Sequence, residues 1–598
     1  MTAGLTRSET VGHQRFGVAA SPGIGIGRAV LVTIEPPPVP DGAPVGSPAE
    51  EEERFFEALA KVRAYLEERE RYAREHLGET EARIFAAEQM LLNDPTLVEG
   101  TLALIHSQRV PAAQAFHWRM LQVRDDFQRR GHAMTLDKLH DLEDIRGLVL
   151  RALLGQPFPD TAVDGTPEDP VVLVAYDLPP SLIVTLDPDR VTGLALDVGT
   201  YNSHASILAR ARGIPAVVSL GSLSSEVRTG QRLIVDGRRG VVVLDPTPEE
   251  EKAFRDRDFR IREWEQELVL QAHLEPRTLD GRRVALRANI DQPEDARSAR
   301  ERGADGIGLF RTEFLVIGRR VAPDEEEQFA AYREVVELFS DRPVILRTFD
   351  LGGDKLPGFI NPPPEDNPML GWRGIRLWLD SPDLARPQAR AILRVAALGD
   401  VRVMLPMVTS LDEVERARAI FEDEHAALAR RGVPVPQRLR LGAMVETPGT
   451  ALIARELADR VDFLSIGTND LVQYTLAADR GNAKIVDHYQ PLHPAVLRLI
   501  DHVVRAGAER GIEVNVCGEM ASVASSAYLL VGLGVEALSV NVGALAEIKK
   551  LIRSVRYDDA RRVAQTALQR ASANEVAADV DAAFAAAGLD PSLFGRYS

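Results

Sequence analysis

Short apolar runs alternate with helical segments throughout the carboxy-terminal half of this chain, and that alternation limits the possible folds most strongly. The runs are rich in Val, Ile and Leu and recur over about 300 residues. Seven of them occupy residues 284–290, 306–310, 344–346, 403–407, 441–445, 463–466 and 514–516. Buried parallel strands connected by helices give this pattern, so residues 276–598 are predicted to form a (β/α)8 barrel.

Polar side chains stand at the ends of several of these runs. The carboxyl ends of barrel strands meet on one face, which is where the active site of such a barrel lies. Directly or shortly after the runs come Arg311, Arg347, Glu446, Asn469, Asp470 and Cys517. These residues are therefore predicted to share one mouth, with Arg480 nearby in the sequence.

The residue types at this mouth suit a small anion that carries several charges. Arginines present planar pairs of donors that match phosphate and carboxylate groups. Glu446 and Asp470 offer separate acidic oxygens, which beside a phosphate favour octahedral Mg²⁺ over zinc. A structural ion pair explains any single arginine equally well, but the recurrence of arginines at strand ends favours a binding site for an anionic substrate with Mg²⁺.

Cys517 is the only cysteine in the 598 residues, so an intramolecular disulfide is excluded. Lone cysteines are commonly small buried apolar side chains. The neighbours Asn515, Gly518 and Glu519 are polar or flexible, which favours the other interpretation. In that interpretation Cys517 is a partly exposed thiol that acts as a nucleophile or as an acid and base.

The amino-terminal part of the chain is strand-rich at both of its ends and helical in between. A capping box at Ser47 begins the helical part, and an apolar stripe of helical spacing follows it. The economical interpretation is one α/β domain made of residues 1–35 and 160–245, with a helical bundle inserted at 36–159. Residues 246–275 are charged and predicted to form a linker helix.

His204 stands where a turn enters a helix, with Asn202 or Ser203 available as the N-cap. Free backbone N–H groups at a helix start stabilise a phosphoryl group, and the positive end of the dipole keeps an imidazole neutral and nucleophilic. A histidine at this position is more often a cap or a surface residue. The spacing alone therefore leaves the role of His204 open.

Overall composition argues against two classes of partner. The formal net charge of −18 disfavours nucleic acid and anionic membrane surfaces, which reward clustered Lys and Arg. No apolar stretch approaches the length that spans a bilayer, and the first nine residues lack the apolar core of a signal peptide. A cytoplasmic protein without membrane insertion is predicted.

Several strings resemble enzyme I of the bacterial phosphoenolpyruvate-dependent sugar phosphotransferase system. They are ASPG at 20–23, GIGLFRTEF at 306–314, RTFDLGGDK at 347–355, GWR at 371–373, MVETP at 444–448, IGTNDLVQYT at 466–475 and CGE at 517–519. The resemblance covers essentially the whole chain. It implies a swivelling phosphohistidine domain at 1–35 and 160–245, a carrier-binding helical insert, and a substrate-binding barrel that also forms a homodimer.

The same resemblance implies a role for each candidate residue. Phosphoenolpyruvate would bind to Arg311, Arg347, Asn469, Asp470 and Arg480, with Arg373 assisting at the transferring phosphoryl group. Glu446 and Asp470 would hold Mg²⁺. His204 would accept the phosphoryl group and pass it to a histidine-containing phosphocarrier protein, and Cys517 would protonate the enolate to give pyruvate.

The chain departs from the family pattern just before the histidine. Family members usually show Gly-Gly, a variable residue and then Thr-Ser-His, whereas Thr200 replaces the second glycine here and Asn202 replaces the threonine. The turn therefore cannot rely on a positive φ of glycine at residue 200. This leaves an alternative, a regulatory phosphorelay protein that senses phosphoenolpyruvate and phosphorylates its histidine slowly. An ATP-dependent dikinase is disfavoured, because only about 16 residues precede the first expected strand and an ATP-binding domain would need far more.

Overall fold

The computed structural model describes most of the chain, and the chain divides into two compact units, Met1–Arg260 and Ile261–Ser598. The described residues are 10–11, 13–34, 36–40, 46–129, 136–159, 166, 169–201, 203–317, 319–352, 356–360, 365–480, 482 and 484–594. Asn202 and the last three residues of the string at 347–355 lie outside them.

The described part of the first unit contains a mixed nine-stranded sheet in the order β1-β2-β9-β8-β4-β5-β6-β7-β3. The strands are β1 Thr10–Val11, β2 Gln14–Phe16, β3 Val18–Ser21, β4 Ile24–Leu31, β5 Val171–Ala175, β6 Val191–Leu196, β7 Ala216–Val218, β8 Arg232–Asp236 and β9 Val241–Leu244. Strands β4 to β7 pair in parallel, and the remaining pairs are antiparallel. The first strand begins at Thr10, several residues earlier than expected.

Five helices lie in the described sequence between β4 and β5, where helices were predicted. They are α1 Pro48–His76, α2 Glu79–Leu92, α3 Pro95–Gln108, α4 Ala112–Arg129 and α5 Leu136–Leu153. Ser47 caps α1 in a complete capping box with Glu50. The predicted apolar stripe of α1 is buried: Phe55, Leu59, Val62 and Leu66. Shorter helices follow in the α/β part, namely α6 Pro180–Ile183, α7 His204–Arg212 and α8 Leu223–Glu226.

In the described part of the second unit, eight parallel strands close into a barrel. They are β10 Ala285–Ile290, β11 Ile307–Arg311, β12 Val344–Arg347, β13 Val401–Leu405, β14 Arg440–Val445, β15 Phe463–Ile466, β16 Glu513–Val516 and β17 Ala537–Asn541. The fold class predicted from the sequence, α/β with inserted helices followed by a (β/α)8 barrel, is confirmed. Seven strands coincide with the apolar runs, and β17, which carries Ser539 and Asn541, is the strand that the pattern missed.

Helices connect and surround the barrel strands. They are α9 Pro248–Gln271, α10 Asp295–Glu301, α11 Glu325–Leu338, α12 Ile375–Asp380, α13 Pro382–Val395, α14 Leu411–Arg430, α15 Pro448–Leu452, α16 Ala454–Ala458, α17 Thr468–Leu476, α18 Pro494–Arg510, α19 Ala524–Leu533, α20 Leu545–Ser554, α21 Tyr557–Ala567 and α22 Ala573–Ala586. The predicted linker helix is α9, and the boundary between the two units falls inside it. Within the described ranges, every helix is too short or too polar to cross a membrane.

The barrel interior is partly apolar and partly polar. Leu309, Ile345, Met404, Met444, Phe463 and Cys517 form one buried cluster inside it. Nearer the amino-terminal ends of the strands, Arg287 makes a bidentate ion pair with Glu513, and Arg402 approaches the same carboxylate. These pairs hold the pKa of Glu513 at about 2 despite its burial. Polar side chains thus continue from the bottom of the barrel toward the mouth.

Candidate active site

The structure brings all the barrel residues singled out by the sequence around one cavity of about 210 Å³. Arg311 and Arg347 are the last residues of β11 and β12, and Glu446 and Cys517 directly follow β14 and β16. Asn469 and Asp470 lie in the first turn of α17. The cavity is lined by Arg311, Arg347, Asp350, Arg373, Glu446, Asn469, Asp470, Arg480, Cys517 and Glu519, among others. The alternation of strands and helices therefore predicted that the residues at the strand ends would lie together, and they do.

The two buried arginines of the cavity are held by carboxylates. Arg347 pairs with Glu313 and, at 3.2 Å, with Asp350 Oδ2. Arg373 Nη2 lies 3.0 Å from Asp350 Oδ2 and 3.2 Å from Asp470 Oδ2. Burial acts to lower the pKa of both guanidiniums, but the adjacent carboxylates outweigh it and raise both. The arginines are thus fixed and permanently charged, as an anion-binding cup requires.

The rim of the cavity is more open. Arg311 Nη1 lies 2.8 Å from Asp291 Oδ1, and a quarter of its side chain is exposed. Asn469 donates from Nδ2 to Glu519 Oε1 at 3.0 Å and accepts at Oδ1 from Glu519 N at 2.8 Å. Arg480 is exposed at this rim. The reciprocal bonds with Glu519 fix the orientation of the Asn469 amide.

Two carboxylates in the cavity have the properties expected of cation ligands. Burial raises the pKa of Glu446 to about 8, and the carboxylates of Asp470 and Asp350 add to the shift. Among the described residues, Asp470 Oδ1 is buried and has no hydrogen-bond partner. A divalent cation relieves both features, so this donor set fits Mg²⁺, which is usually held by one or two carboxylates together with substrate oxygens and water. No cluster of three or more His, Cys, Asp or Glu side chains suited to a metal occurs in the described ranges.

Cys517 is buried, with 2% of its surface exposed, so the prediction of a partly exposed thiol is wrong. The polar neighbours in the sequence wrongly indicated exposure, because Cys517 directly follows β16 and faces the apolar cluster inside the barrel. Cys517 is nevertheless one of the residues that line the cavity. Burial raises the pKa of the thiol to about 11, and Glu446 adds to the shift. Cys517 is therefore protonated at neutral pH and available as an acid.

His204 is the first residue of α7 in the other unit, and Ser203 is the N-cap of that helix. The Ser203 hydroxyl accepts from Ser206 N at 3.4 Å. His204 Nδ1 lies 3.0 Å from Asp141 Oδ1, which belongs to α5 of the inserted helices. An N–H donated from Nδ1 to this carboxylate places the lone pair of the ring on Nε2. Asp141 has no local signal in the sequence, and the structure alone identifies it.

Comparison with known proteins finds matches along most of the chain. Residues 16–135 match the family described as PEP-utilising enzyme, N-terminal, residues 167–240 match PEP-utilising enzyme, mobile domain, and residues 265–557 match PEP-utilising enzyme, PEP-binding domain. The phosphoenolpyruvate-protein phosphotransferase of Geobacillus stearothermophilus is 38% identical over 96% of this chain and 98% of its own length. Those of Staphylococcus carnosus and Haemophilus influenzae are each 38% identical over 94% of this chain and 97% of their own length.

The chain belongs to the phosphoenolpyruvate-protein phosphotransferase family. Identity at this level over nearly the whole chain confirms the resemblance seen in the motifs. The match to the PEP-binding domain of the family covers every residue of the barrel cavity, and the match to the mobile domain covers His204.

The turn before His204 has Thr200 at the position of the second glycine of the family pattern. Gly199 has a φ of 120°, in the region that favours glycine, whereas Thr200 is not among the residues with positive φ. Thr200 O accepts from Ser203 N at 3.2 Å, from Ser203 Oγ at 3.0 Å and from Ser206 Oγ at 2.7 Å. Because residue 200 has an ordinary backbone conformation, its side chain causes no strain in the turn.

His204 borders an acidic cavity of about 350 Å³ in the first unit of this family member. Asp141, Asp144 and Asp177 line the cavity, and Glu88 of α2 is buried close to them. Burial, together with Asp141 and Asp177, raises the pKa of Asp144 to about 7. Burial, together with Asp144 and Asp141, raises the pKa of Glu88 well above its usual range. The carboxylate of Asp141, which contacts His204, therefore lies among several other acids.

Proposed function

We propose that this protein transfers the phosphoryl group of phosphoenolpyruvate to His204 and then to the histidine of a small phosphocarrier protein, releasing pyruvate. The observation that carries the proposal is the placement of a protonated thiol, Cys517, in the same cavity as buried arginines and carboxylates. An anion site alone would suit many substrates. An acid positioned inside that site suits a substrate whose leaving group must be protonated on carbon.

The arginines act on the charge of the substrate. Arg347 and Arg373 are held by Asp350 before any ligand arrives, so their donors need no reorganisation during the reaction. Arg311, Asn469 and Arg480 surround the opening and complete the site for the carboxylate and phosphate groups. Fixed positive charge at this position stabilises the enolate as the phosphoryl group leaves.

Glu446 and Asp470 would hold Mg²⁺. When bound there, the ion would neutralise charge on the phosphoryl oxygens. Glu446 is positioned independently of the ion, because its Oε1 accepts from Met407 N at 2.5 Å. Asp470 is anchored through Oδ2 by Arg373, which leaves Oδ1 directed away from that ion pair.

Each reacting residue has a defined proton state. Asp141 orients the His204 ring so that the Nε2 lone pair is the nucleophile. After the phosphoryl group has left, the S–H of Cys517 breaks and its proton joins the methylene carbon of the enolate, which becomes the methyl group of pyruvate. Because His204 and the barrel cavity belong to different units, the reaction requires that they meet during turnover.

Further roles follow from the family. The helical insert at 36–159 would bind the carrier protein, residues 1–35 and 160–245 would form the phosphohistidine domain, and the barrel at 276–598 would mediate a homodimer. The linker at 246–275 corresponds to α9. A cytoplasmic location suits a carrier protein and phosphoenolpyruvate as partners.

The experiment is to incubate the purified protein with phosphoenolpyruvate labelled in the phosphoryl group, with Mg²⁺, and to locate the label by mass spectrometry. We expect rapid labelling of His204, release of pyruvate, and loss of both in the His204→Ala variant. Cys517→Ala should still label His204 but should fail to exchange the methyl protons of pyruvate with solvent deuterium. Carrier labelling that persists in His204→Ala would overturn the proposal.

A further inference from the structure

The thiol of Cys517 is connected to a buried hydroxyl below the substrate cavity. Ser465 lies on β15 and pairs across the sheet with Asn515 of β16. Ser465 Oγ is 2.5 Å from Asn515 Oδ1 and 3.3 Å from Cys517 Sγ. All three side chains are buried. The hydroxyl therefore contacts an amide oxygen and the reacting sulfur without access to bulk water.

The Ser465 hydroxyl has one proton for two contacts, so it can donate to only one of them at a time. A serine has one proton to donate, and an amide oxygen can only accept. While the hydroxyl donates to Asn515 Oδ1, the oxygen of Ser465 presents lone pairs to the thiol, and the S–H of Cys517 can donate to it. A thiolate has no proton, so the hydroxyl must turn toward the sulfur if that contact is to persist. The two protonation states of Cys517 thus require opposite orientations of Ser465.

The thiolate has few other sources of stabilisation. The second polar contact of Sγ is Ile466 O at 3.7 Å, and a carbonyl oxygen repels a negative sulfur. Glu446 also disfavours the thiolate, whereas Arg347 and Arg311 favour it. Glu513, further down the barrel, is the charged group beyond Asn515. Of the two polar contacts that described residues make with the sulfur, the Ser465 hydroxyl is the one that can donate to it.

We propose that Ser465 is a positioning residue whose hydroxyl points to Asn515 while Cys517 is a thiol and turns to the sulfur once the proton has been given to carbon. The inference rests on the proposed function. In the step, the S–H bond breaks and its electron pair stays on sulfur, the π electrons of the enolate form the new C–H bond, and Ser465 keeps its own proton. The sulfur later regains a proton from solvent.

Because Cys517 is the only cysteine, its protonation and reactivity can be measured without interference. The thiolate absorbs in the ultraviolet, and iodoacetamide alkylates the thiolate alone. Ser465→Ala removes a hydrogen bond to a charged group, so we expect the midpoint of thiol ionisation to rise by about one pH unit and the alkylation rate at fixed pH to fall about tenfold. Ser465→Thr retains the hydroxyl and should restore both values.

In a second variant we expect the ionisation midpoint of Cys517 to change in the opposite direction. Asn515→Val removes the acceptor that the hydroxyl uses in the thiol state but leaves the thiolate state intact. The ionisation midpoint of Cys517 should therefore fall and alkylation should accelerate. A general loosening of the barrel would instead shift the ionisation midpoint of Cys517 in the same direction in both variants.

Ser539→Ala is the matched control. Ser539 is also buried and donates to an asparagine, Asn289 Oδ1 at 2.6 Å, on the neighbouring strand. Asn289 in turn contacts Cys517 O, so the control reports loosening at residue 517 without removing a donor to the sulfur. We expect unchanged thiol chemistry in this variant.

Turnover measurements separate this inference from the proposed function. Ser465→Ala should slow the exchange of pyruvate methyl protons with solvent deuterium about tenfold, while His204 is labelled at the parent rate. Equal ionisation and alkylation in Ser465→Ala and in the parent would overturn the role of Ser465. If the thiol responds as expected but the parent protein neither labels His204 nor exchanges pyruvate protons, the proposed function fails and the Ser465–Cys517 contact stands.

Discussion

His204 Nδ1 lies 3.0 Å from Asp141 Oδ1. The two residues come from different parts of the first unit, since His204 begins α7 of the α/β part and Asp141 belongs to α5 of the inserted helices. The insert therefore contributes directly to the proposed phosphoryl-accepting centre. It supplies the carboxylate that selects the ring tautomer.

Asp141→Asn should slow the labelling of His204 about 100-fold. An asparagine amide can turn its NH₂ group toward Nδ1, which favours the tautomer that carries its proton on Nε2 and removes the nucleophilic lone pair. Rapid-quench labelling with phosphoenolpyruvate measures this rate. Glu143→Gln is the control, because Glu143 lines the same cavity but pairs with Arg146. Equal rates in Asp141→Asn and Glu143→Gln would contradict the tautomer argument.

The sequence predicts the barrel mouth well and the histidine centre only partly. Arg311, Arg347, Glu446 and Cys517 end apolar runs, and parallel strands necessarily bring such positions together. Asp141 has no comparable rule, because the helix that carries it docks by tertiary packing. Local periodicity specifies that α5 is a helix but not which of its residues meets α7.

The burial of Cys517 illustrates a second limit. Asn515 and Cys517 are two positions apart and face the same side of the strand, and Asn515 is itself buried there although it is polar. A polar neighbour in the sequence therefore does not show that the sulfur is exposed. The sulfur packs with Leu309 and Met444, which are distant in sequence. Closure of the barrel also requires β17. The apolar pattern did not predict this strand because it contains polar residues.

Arg347→Met should destabilise the barrel unit by about 3–5 kcal/mol, because it removes the buried cation that faces Glu313 and Asp350. Arg311→Met should cost less than about 1 kcal/mol, since its ion pair with Asp291 is partly exposed. Urea unfolding followed by tryptophan fluorescence measures both changes, and Trp264, Trp372 and Trp378 lie in this unit. Similar costs for the two arginines would show that Arg347 is not part of a buried ionic network.

The acids beneath His204 should make stability fall as pH rises. The folded-state pKa of Asp144 is raised from 3.8 to about 7, so the folded protein holds a proton that the unfolded chain releases. This contribution is fully present below about pH 4 and is lost as pH rises through about 7, with a slope of about 1.4 kcal/mol per pH unit for one proton. Asp144→Asn should therefore gain stability relative to the parent as pH increases. Calorimetric unfolding of the full chain across this range measures the difference.

Glu88→Gln provides an independent check on the same acids. Among the described residues, neither carboxylate oxygen of Glu88 has a hydrogen-bond partner, and a neutral amide of the same shape removes the need to keep a proton there. Its gain in stability should also increase with pH. Glu143→Gln, which removes a half-exposed carboxylate paired with Arg146, is the control. A pH profile that is parallel in all three variants and the parent would mean that these acids do not hold extra protons in the folded state.

Thr200→Gly restores the second glycine of the family motif. It should change the labelling rate of His204 by less than about fivefold, which corresponds to about 1 kcal/mol. Residue 200 already has an ordinary backbone conformation, and its carbonyl holds Ser203 and Ser206 in place. Gly199→Ala should instead slow labelling and cost about 1 kcal/mol or more, because residue 199 has a φ of 120° and an added Cβ would lie 3.2 Å from Val218 Cβ. Rapid-quench labelling and thermal unfolding of the two variants test this pair. A large acceleration in Thr200→Gly would instead favour the interpretation as a slow phosphoenolpyruvate sensor, since the altered turn would then be what restrains His204.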